Sequence, residues 1–351
     1  MLARKAKGLF LEVNDFEVLA VTTNALADPL TIEALEVFPR SEENKELQAF
    51  VGLLVDGKGG GKRYLKAHCG IYPPSRFFRR HTVESMAKAK EPGYFAEVMR
   101  DQAKVVPEKT MAAALVTSTG ESFDATKPLT NQKELLLAGA LSEDVATEQE
   151  LIVASGVYPE YLELGTLATL GALQNYLKWK ERKAPVLWLE LGPASANLFV
   201  VSAGALELCR PIPFGLDAMF PVVQQELSLR DEDSARKLFF SNTFDFAEMG
   251  PSLLRRIHKE LHASMGFFEM QTGQSLGDLF VSLLSPNLGW IPETLSRGLG
   301  LEMLEFDFPG WLAHREIAVG PHVQTAHLEA RWLGPLSLMG NFEVNNGGEK
   351  E

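Results

Sequence analysis

The chain has 351 residues and a mass of 38.7 kDa, about twice the usual size of one domain, so two domains or one heavily inserted domain is expected and a minimal peptide binder is excluded. Its composition, 46% hydrophobic and 23% charged with 21 Phe and 5 Trp, supports a large core and excludes disorder of the whole chain. The 34 basic and 46 acidic residues leave a net charge of −12, which argues against a broad nucleic-acid face or a polybasic membrane patch. Cys69 and Cys209 form neither a CxxC pair nor a metal cluster, so a reducing compartment is expected rather than a disulfide framework or zinc ribbon. The start, Met1 to Lys7, is basic, but Glu12, Asn14, Asp15 and Glu17 break the apolar stretch after it, so no signal-peptide core is read. No apolar run approaches the roughly 20 residues that span a bilayer. A cytoplasmic protein without membrane insertion of its own is the expectation.

Two strands, Gly8–Asn14 and Phe16–Thr23, are predicted around a tight Asn14-Asp15 turn, and Leu30–Phe38 alternates as a third. A helix over Glu42–Asp56 follows, with Leu47, Phe50, Val51 and Leu54 at helical spacing, and the glycines from Gly57 to Gly61 break it before a strand Arg63–Cys69. Pro73 to Leu141 reads as a small α/β insertion with a helix around Glu97–Lys104 and apolar runs at Met111–Val116 and Glu134–Leu141. Ser142, followed by acidic residues, opens a helix ending at Gly156, and a helix Leu164–Arg182 comes next. A second meander then runs from Ala184 to Gly192, Ala196 to Val201 and Leu206 to Pro213. Helices are predicted over Leu216–Leu227, Asp231–Phe240 and Pro251–Thr272, then a strand Leu279–Leu284 and a helix Trp290–Gly298. The repeated layout implies two similar α/β lobes facing each other, with the ligand site in the cleft. The expected divisions are 1–72 and 142–183 for the first lobe and linking helix, 73–141 for the insertion, 184–319 for the second lobe with a helical insertion about 216–272, and 320–351 for a C-terminal return and tail.

Several short patterns are weaker than they look. Gly57-Lys-Gly-Gly-Gly-Lys-Arg is one residue short of a Walker loop and has Arg63 in place of its hydroxyl, so it reads as a turn. His258 and His262 share a helical face but lack the Glu and third ligand of a zinc site. There is no Gly-x-Ser-x-Gly elbow. The aromatic group Phe239, Phe240, Phe244, Phe246, Phe267 and Phe268 reads as core before it reads as a partner groove.

The stretch Leu189-Glu-Leu-Gly-Pro-Ala-Ser-Ala-Asn-Leu-Phe-Val-Val-Ser-Ala-Gly-Ala-Leu-Glu-Leu-Cys-Arg-Pro-Ile-Pro-Phe-Gly resembles the second phosphate-loop hairpin of the actin-like ATPases, most of all the type IV pilus assembly family of PilM, a relative of the cell-division protein FtsA. Asp231-Glu-Asp-Ser-Ala-Arg-Lys-Leu and Leu151-Ile-Val-Ala-Ser-Gly-Val-Tyr-Pro-Glu-Tyr-Leu-Glu-Leu-Gly-Thr-Leu-Ala resemble further segments of that family in the same order. The resemblance implies an α/β fold of two actin-like, ribonuclease H-like lobes with mixed sheets and an inserted small α/β subdomain. It also implies that nucleotide phosphates would lie between two hairpins with small, hydroxyl-bearing turns, beside carboxylates that hold magnesium through water.

This sequence departs from that pattern. The first turn has Glu12 for the usual Asp, Asn14 for Gly, Phe16 for a hydroxyl and Leu19 for Lys, with Asp15 and Glu17 adding negative charge where phosphates would sit. The second keeps Gly192 and Ser195 but has Pro193, Ala194 and Ala196, and the adenosine turn reads Ser285-Pro-Asn-Leu-Gly. The expected site is therefore a degenerate nucleotide cleft of Asn14, Asp15, Glu190, Gly192, Ser195, Asn197 and Ser285, with no resident cofactor and ATP and Mg²⁺ at most weakly held. The function implied is a cytoplasmic scaffold of a pilus or secretion assembly, peripheral to the inner membrane through the cytoplasmic tail of an inner-membrane partner, with homo-oligomerisation left open. Arg76, Phe77, Phe78 and Arg79 are the expected wall of the tail site. The alternative is an active ATPase or kinase of the same superfamily, with Glu190 or Asp217 as general base.

Overall fold

The computed structural model describes residues 8–41, 44–55, 64–241, 243–326 and 328–340. The Gly57–Arg63 turn, the basic start Met1–Lys7 and the tail beyond Gly340 lie outside them.

The first lobe is built on a six-stranded sheet in the order β14-β3-β2-β1-β4-β8. In it β1 (Gly8–Val13), β2 (Glu17–Thr23) and β3 (Thr31–Pro39) form an antiparallel meander, and β4 (Leu65–Ile71) and β8 (Val157–Leu164) extend it in parallel. The insertion is a three-stranded antiparallel sheet of β5 (Phe77–Thr82), β7 (Glu134–Leu141) and β6 (Thr110–Val116), in that spatial order. The second lobe repeats the first: β9 (Val186–Leu191), β10 (Ala196–Val201) and β11 (Leu206–Ile212) make the meander, with β12 (Asp278–Ser282) and β13 (Glu302–Met303) added in parallel on the β9 side. Each lobe thus runs third, second, first, fourth, fifth across its sheet, the twin arrangement expected from the sequence.

Every residue of β1, β2, β9 and β10 is buried, so both faces of each central sheet are covered and the strands read as continuous apolar runs rather than alternating ones. Helix Gly165–Trp179 lies between the sheets and joins them into one core, where Leu173, Tyr176 and Leu177 pack with Trp188, Phe199 and Trp311. A separate core holds the second lobe together around Phe220, Phe239, Phe246 and Ile291.

Three differences from the sequence expectation have local causes. Strand β8 occupies what reads as a connector, because Pro159 and the exposed Tyr158 and Tyr161 hide its pattern; an edge strand tolerates all three. Helix Phe308–His314 and β14 (Ala318–Val319) pack with the linking helix and pair with β3, so the return to the first lobe begins before residue 320. Within the C-terminal return expected from residue 320, the structure forms only a short helix, Leu333–Ser337, with a 3-10 turn Ala330–Trp332 before it among the described residues. Among the described residues, no helix is long and apolar enough to cross a membrane, and no cluster of His, Cys, Asp and Glu could hold a metal ion.

Candidate functional site

The two meander hairpins meet across the cleft. In the first, the Asn14 side chain takes over the turn: its Oδ1 accepts from the Phe16 N–H at 2.9 Å and the Glu17 N–H at 3.0 Å, and its Nδ2 donates to Glu12 at 3.2 Å. The Phe16 and Glu17 amides are thereby consumed within the chain. Arg40 donates to the Asn14 carbonyl at 2.9 Å and pairs with Glu148 at 2.7 Å, which fixes the hairpin to the helix Ser142–Ala154.

Glu12 is buried beneath the C-terminal helix, where a Cβ on Gly334 would overlap its carboxylate, so this approach requires glycine. Burial pushes its carboxyl up to about 8, against hydrogen bonds from Asn14 and Tyr72 and with a further push from Glu17 and Glu190. Glu12 is therefore protonated and neutral at pH 7. Burial also raises Glu17, which Arg331 counters by pairing with it at 2.8 Å.

In the second hairpin, Glu190 is wholly buried and its oxygens are fully engaged. Arg76 Nε donates to it at 2.9 Å, Thr166 Oγ1 at 2.5 Å and Asn197 Nδ2 at 3.1 Å. The same guanidinium donates to the carbonyls of Tyr72 at 3.1 Å and Pro73 at 3.2 Å and lies over the Tyr72 ring. A Cβ placed on Gly192 would sit 3.7 Å from both Arg76 Nη2 and Asp15 Oδ2, so cation and carboxylate converge over the glycine between the hairpins. Burial raises the Asp15 carboxyl, while Arg76 and Arg40 pull it back down. The Gly192 and Pro193 carbonyls accept from Leu216 and Asp217, and Gly215 packs so close to them that a Cβ would clash with both.

Above the first turn, the Phe16 ring reaches across to Phe240 of the second lobe at 5.6 Å, and Asn287 donates to the Phe240 carbonyl at 2.9 Å. What is left beside Glu12, Asn14, Tyr72, Thr169 and Arg331 is a cavity of about 20 Å³, room for about one water. Small-molecule sites run to roughly 300 Å³ and more.

Of the expected site residues, Asp15, Glu190, Gly192 and Asn197 are brought together, and Asn14 closes the opposite side. Ser195 is exposed at the rim, and its carbonyl accepts from Gly192; Ser285 belongs to the third loop, where its carbonyl caps Leu288. The expected tail-binding wall is corrected. Arg76 is the centre of the cleft, Phe77 and Phe78 are 6% and 0% exposed in the core, and Arg79 bonds to the Gln102 and Phe78 carbonyls. A Pro-Pro followed by Ser75-Arg-Phe-Phe-Arg-Arg looks like surface, but β5 is sandwiched against the second lobe, with Phe78 meeting Phe199 at 5.6 Å. Sequence reading missed Arg40, Tyr72, Thr166, Phe240, Arg331 and Gly334, which come from six separate segments and share no local motif. Both suggested general bases are held by arginines, Glu190 by Arg76 and Asp217 by Arg236 at 3.0 Å.

No family model and no curated protein matches the chain. Among solved structures, the PilM-PilN type IV pilus biogenesis complex contains a chain that matches over 96% of this one and 98% of its own length, with 19% identity and a TM-score of 0.63. The chain has the actin-like ATPase fold. Two further structures are more distant: the ethanolamine utilization protein EutJ from Carboxydothermus hydrogenoformans, at 12% identity over 95% of this chain and 89% of that one with a TM-score of 0.43, and the cytoplasmic domain of EpsL, an inner membrane component of the type II secretion system of Vibrio cholerae, at 9% over 95% and 92% with a TM-score of 0.41. In this version of the fold, side chains from both lobes meet across the cleft.

Proposed function

We propose that the chain is a cytoplasmic scaffold of a type IV pilus or related secretion assembly. It binds the cytoplasmic tail of an inner-membrane partner, which holds it at the membrane, and it has lost productive ATP binding. The observation that carries the loss of ATP binding is the Arg76–Glu190 pair with Asp15 over Gly192, which occupies the space between the hairpins with the chain's own charges. A triphosphate there would meet Asp15 and Glu17, find the Phe16 and Glu17 amides already bonded to Asn14, and have to displace a buried guanidinium. The likeness to the PilM-PilN complex over the whole chain supports the pilus assignment. The alternative of an active kinase or ATPase is weakened because both of its candidate bases, Glu190 and Asp217, pair with arginine.

The partner reading is tested by calorimetric titration of the full chain with a synthetic peptide of the cytoplasmic tail of a candidate single-span inner-membrane partner. Saturable binding at about micromolar Kd is expected, with loss on scrambling the peptide. Equal heats from tail and scrambled peptide would remove the scaffold reading.

A further inference from the structure

Helix Arg255–Thr272 lines no part of the cleft, and its two faces differ sharply. Ile257, Leu261, Ser264 and Phe268 are buried at alternating four- and three-residue steps and pin one face to the second lobe. On the outward face, Arg255, Arg256, Lys259 and His262 occupy the first two turns, and Ala263, Gly266, Phe267 and Met270 occupy the turns after them, all exposed.

The apolar half is costly as a bare surface. Phe267 is 46% exposed and Met270 is 79% exposed, one turn apart on the same helix. Gly266 sits mid-helix at a cost of about 1 kcal/mol against Ala, and no atom lies within 4 Å of where its Cβ would be. Packing within this chain therefore gives the glycine no role. A small residue beside exposed large ones lets a second helix approach closely.

The charged half is equally unmatched. Among the described residues, no carboxylate pairs with Arg255, Arg256 or Lys259, although the chain carries 46 acidic residues. Glu260, the acid next along, is taken by Arg210 at 2.5 Å, and Arg256 stacks on the Phe214 ring at 4.1 Å. The helix N-terminus adds its own positive end to these cations.

We propose that this face docks an amphipathic helix of another protein, its apolar stripe over Ala263, Gly266, Phe267 and Met270 and its acidic end against Arg255, Arg256 and Lys259. A second copy of this chain does not suit: parallel pairing of the two faces sets cation against cation, and antiparallel pairing sets cations on Phe267 and Met270. An anionic bilayer suits less well, because the cations gather at one end instead of flanking the apolar stripe, and the net charge of −12 opposes approach. The surface is independent of the tail-binding reading above.

The test uses two labelled synthetic helices as long as this one, both with a leucine face, one carrying a cluster of Glu in one half and the other Lys. Each is titrated with the full chain by fluorescence anisotropy. The field of an acidic protein favours the Lys peptide, so preference for the Glu peptide by about tenfold or more reports the local patch. Phe267→Asp with Met270→Asp should lose binding by at least about tenfold, and Arg255→Glu with Lys259→Glu should invert the preference, with circular-dichroism melts unchanged. Failure of both peptides to bind, equal affinity for the two, or binding that survives the Phe267 and Met270 changes would overturn the proposal. Co-sedimentation with phosphatidylglycerol vesicles that depends on those same side chains would overturn it too, by assigning the face to membrane.

Discussion

The β1–β2 and β9–β10 hairpins are the same device built twice, and their turns have gone different ways. Both pairs are antiparallel, fully buried and continued in parallel by a later strand of their sheet. The first turn spends the Phe16 and Glu17 amides on the Asn14 side chain, whereas the second spends its carbonyls on Leu216 and Asp217. The first brings Glu12, Asp15 and Glu17 to the cleft and the second brings Glu190 alone. Arginines from other segments answer these acids: Arg331 for Glu17, Arg76 for Glu190 and, over Gly192, Arg76 beside Asp15. Among the described residues no cation pairs with Glu12, and burial keeps its proton on. Burial of the strands holds the frame in both lobes, so turn chemistry can change from ligand-directed to self-directed without loss of the fold.

The sharpest way to break the comparison is Arg76→Ala. It strands a wholly buried Glu190 that keeps the Thr166 and Asn197 donors, and should cost about 3–5 kcal/mol in urea denaturation. Adding Glu190→Gln should recover part of that loss, because the uncompensated charge goes with it. A single change at Arg76 that leaves the urea midpoint unmoved would mean that the pair does not tie the lobes.

A smaller effect separates the two hairpins by pH. Native Glu12 keeps its proton up to about pH 8, whereas the unfolded chain releases it near 4.5. Folding therefore binds a proton in that window, and stability falls as pH rises through it, by at most about 1.4 kcal/mol per pH unit. His68, lowered to about 4 chiefly by burial, works in the opposite sense below 6.5, so the clean window is pH 6.5 to 8. Urea midpoints should drop across it in the native sequence and stay level in Glu12→Gln.

Much of the fold is legible in the sequence because apolar runs and turn residues are local signals. Both meanders, the insertion and the linking helix follow from them, and the Asn14-Asp15 turn falls where it was read. The cleft is only half legible. The amide-less Pro193 and the acids of the first turn announce a changed site, but its new centre, Arg76, sits in a segment whose three Arg around a Phe pair read as a solvated face. Its partner Glu190 lies 114 positions away. Likewise Phe16 reads as a lost hydroxyl, and only the packing shows it bridging to Phe240. Ionic and aromatic pairing over such separations depends on how the lobes close, which no periodicity records.

If side chains of this protein fill the space where phosphates would lie, the purified chain should give no saturable heat in isothermal titration with Mg²⁺-ATP up to about millimolar nucleotide, the range of about −4 kcal/mol. A saturable isotherm with micromolar Kd, about −8 kcal/mol, would mean that the cleft still takes nucleotide.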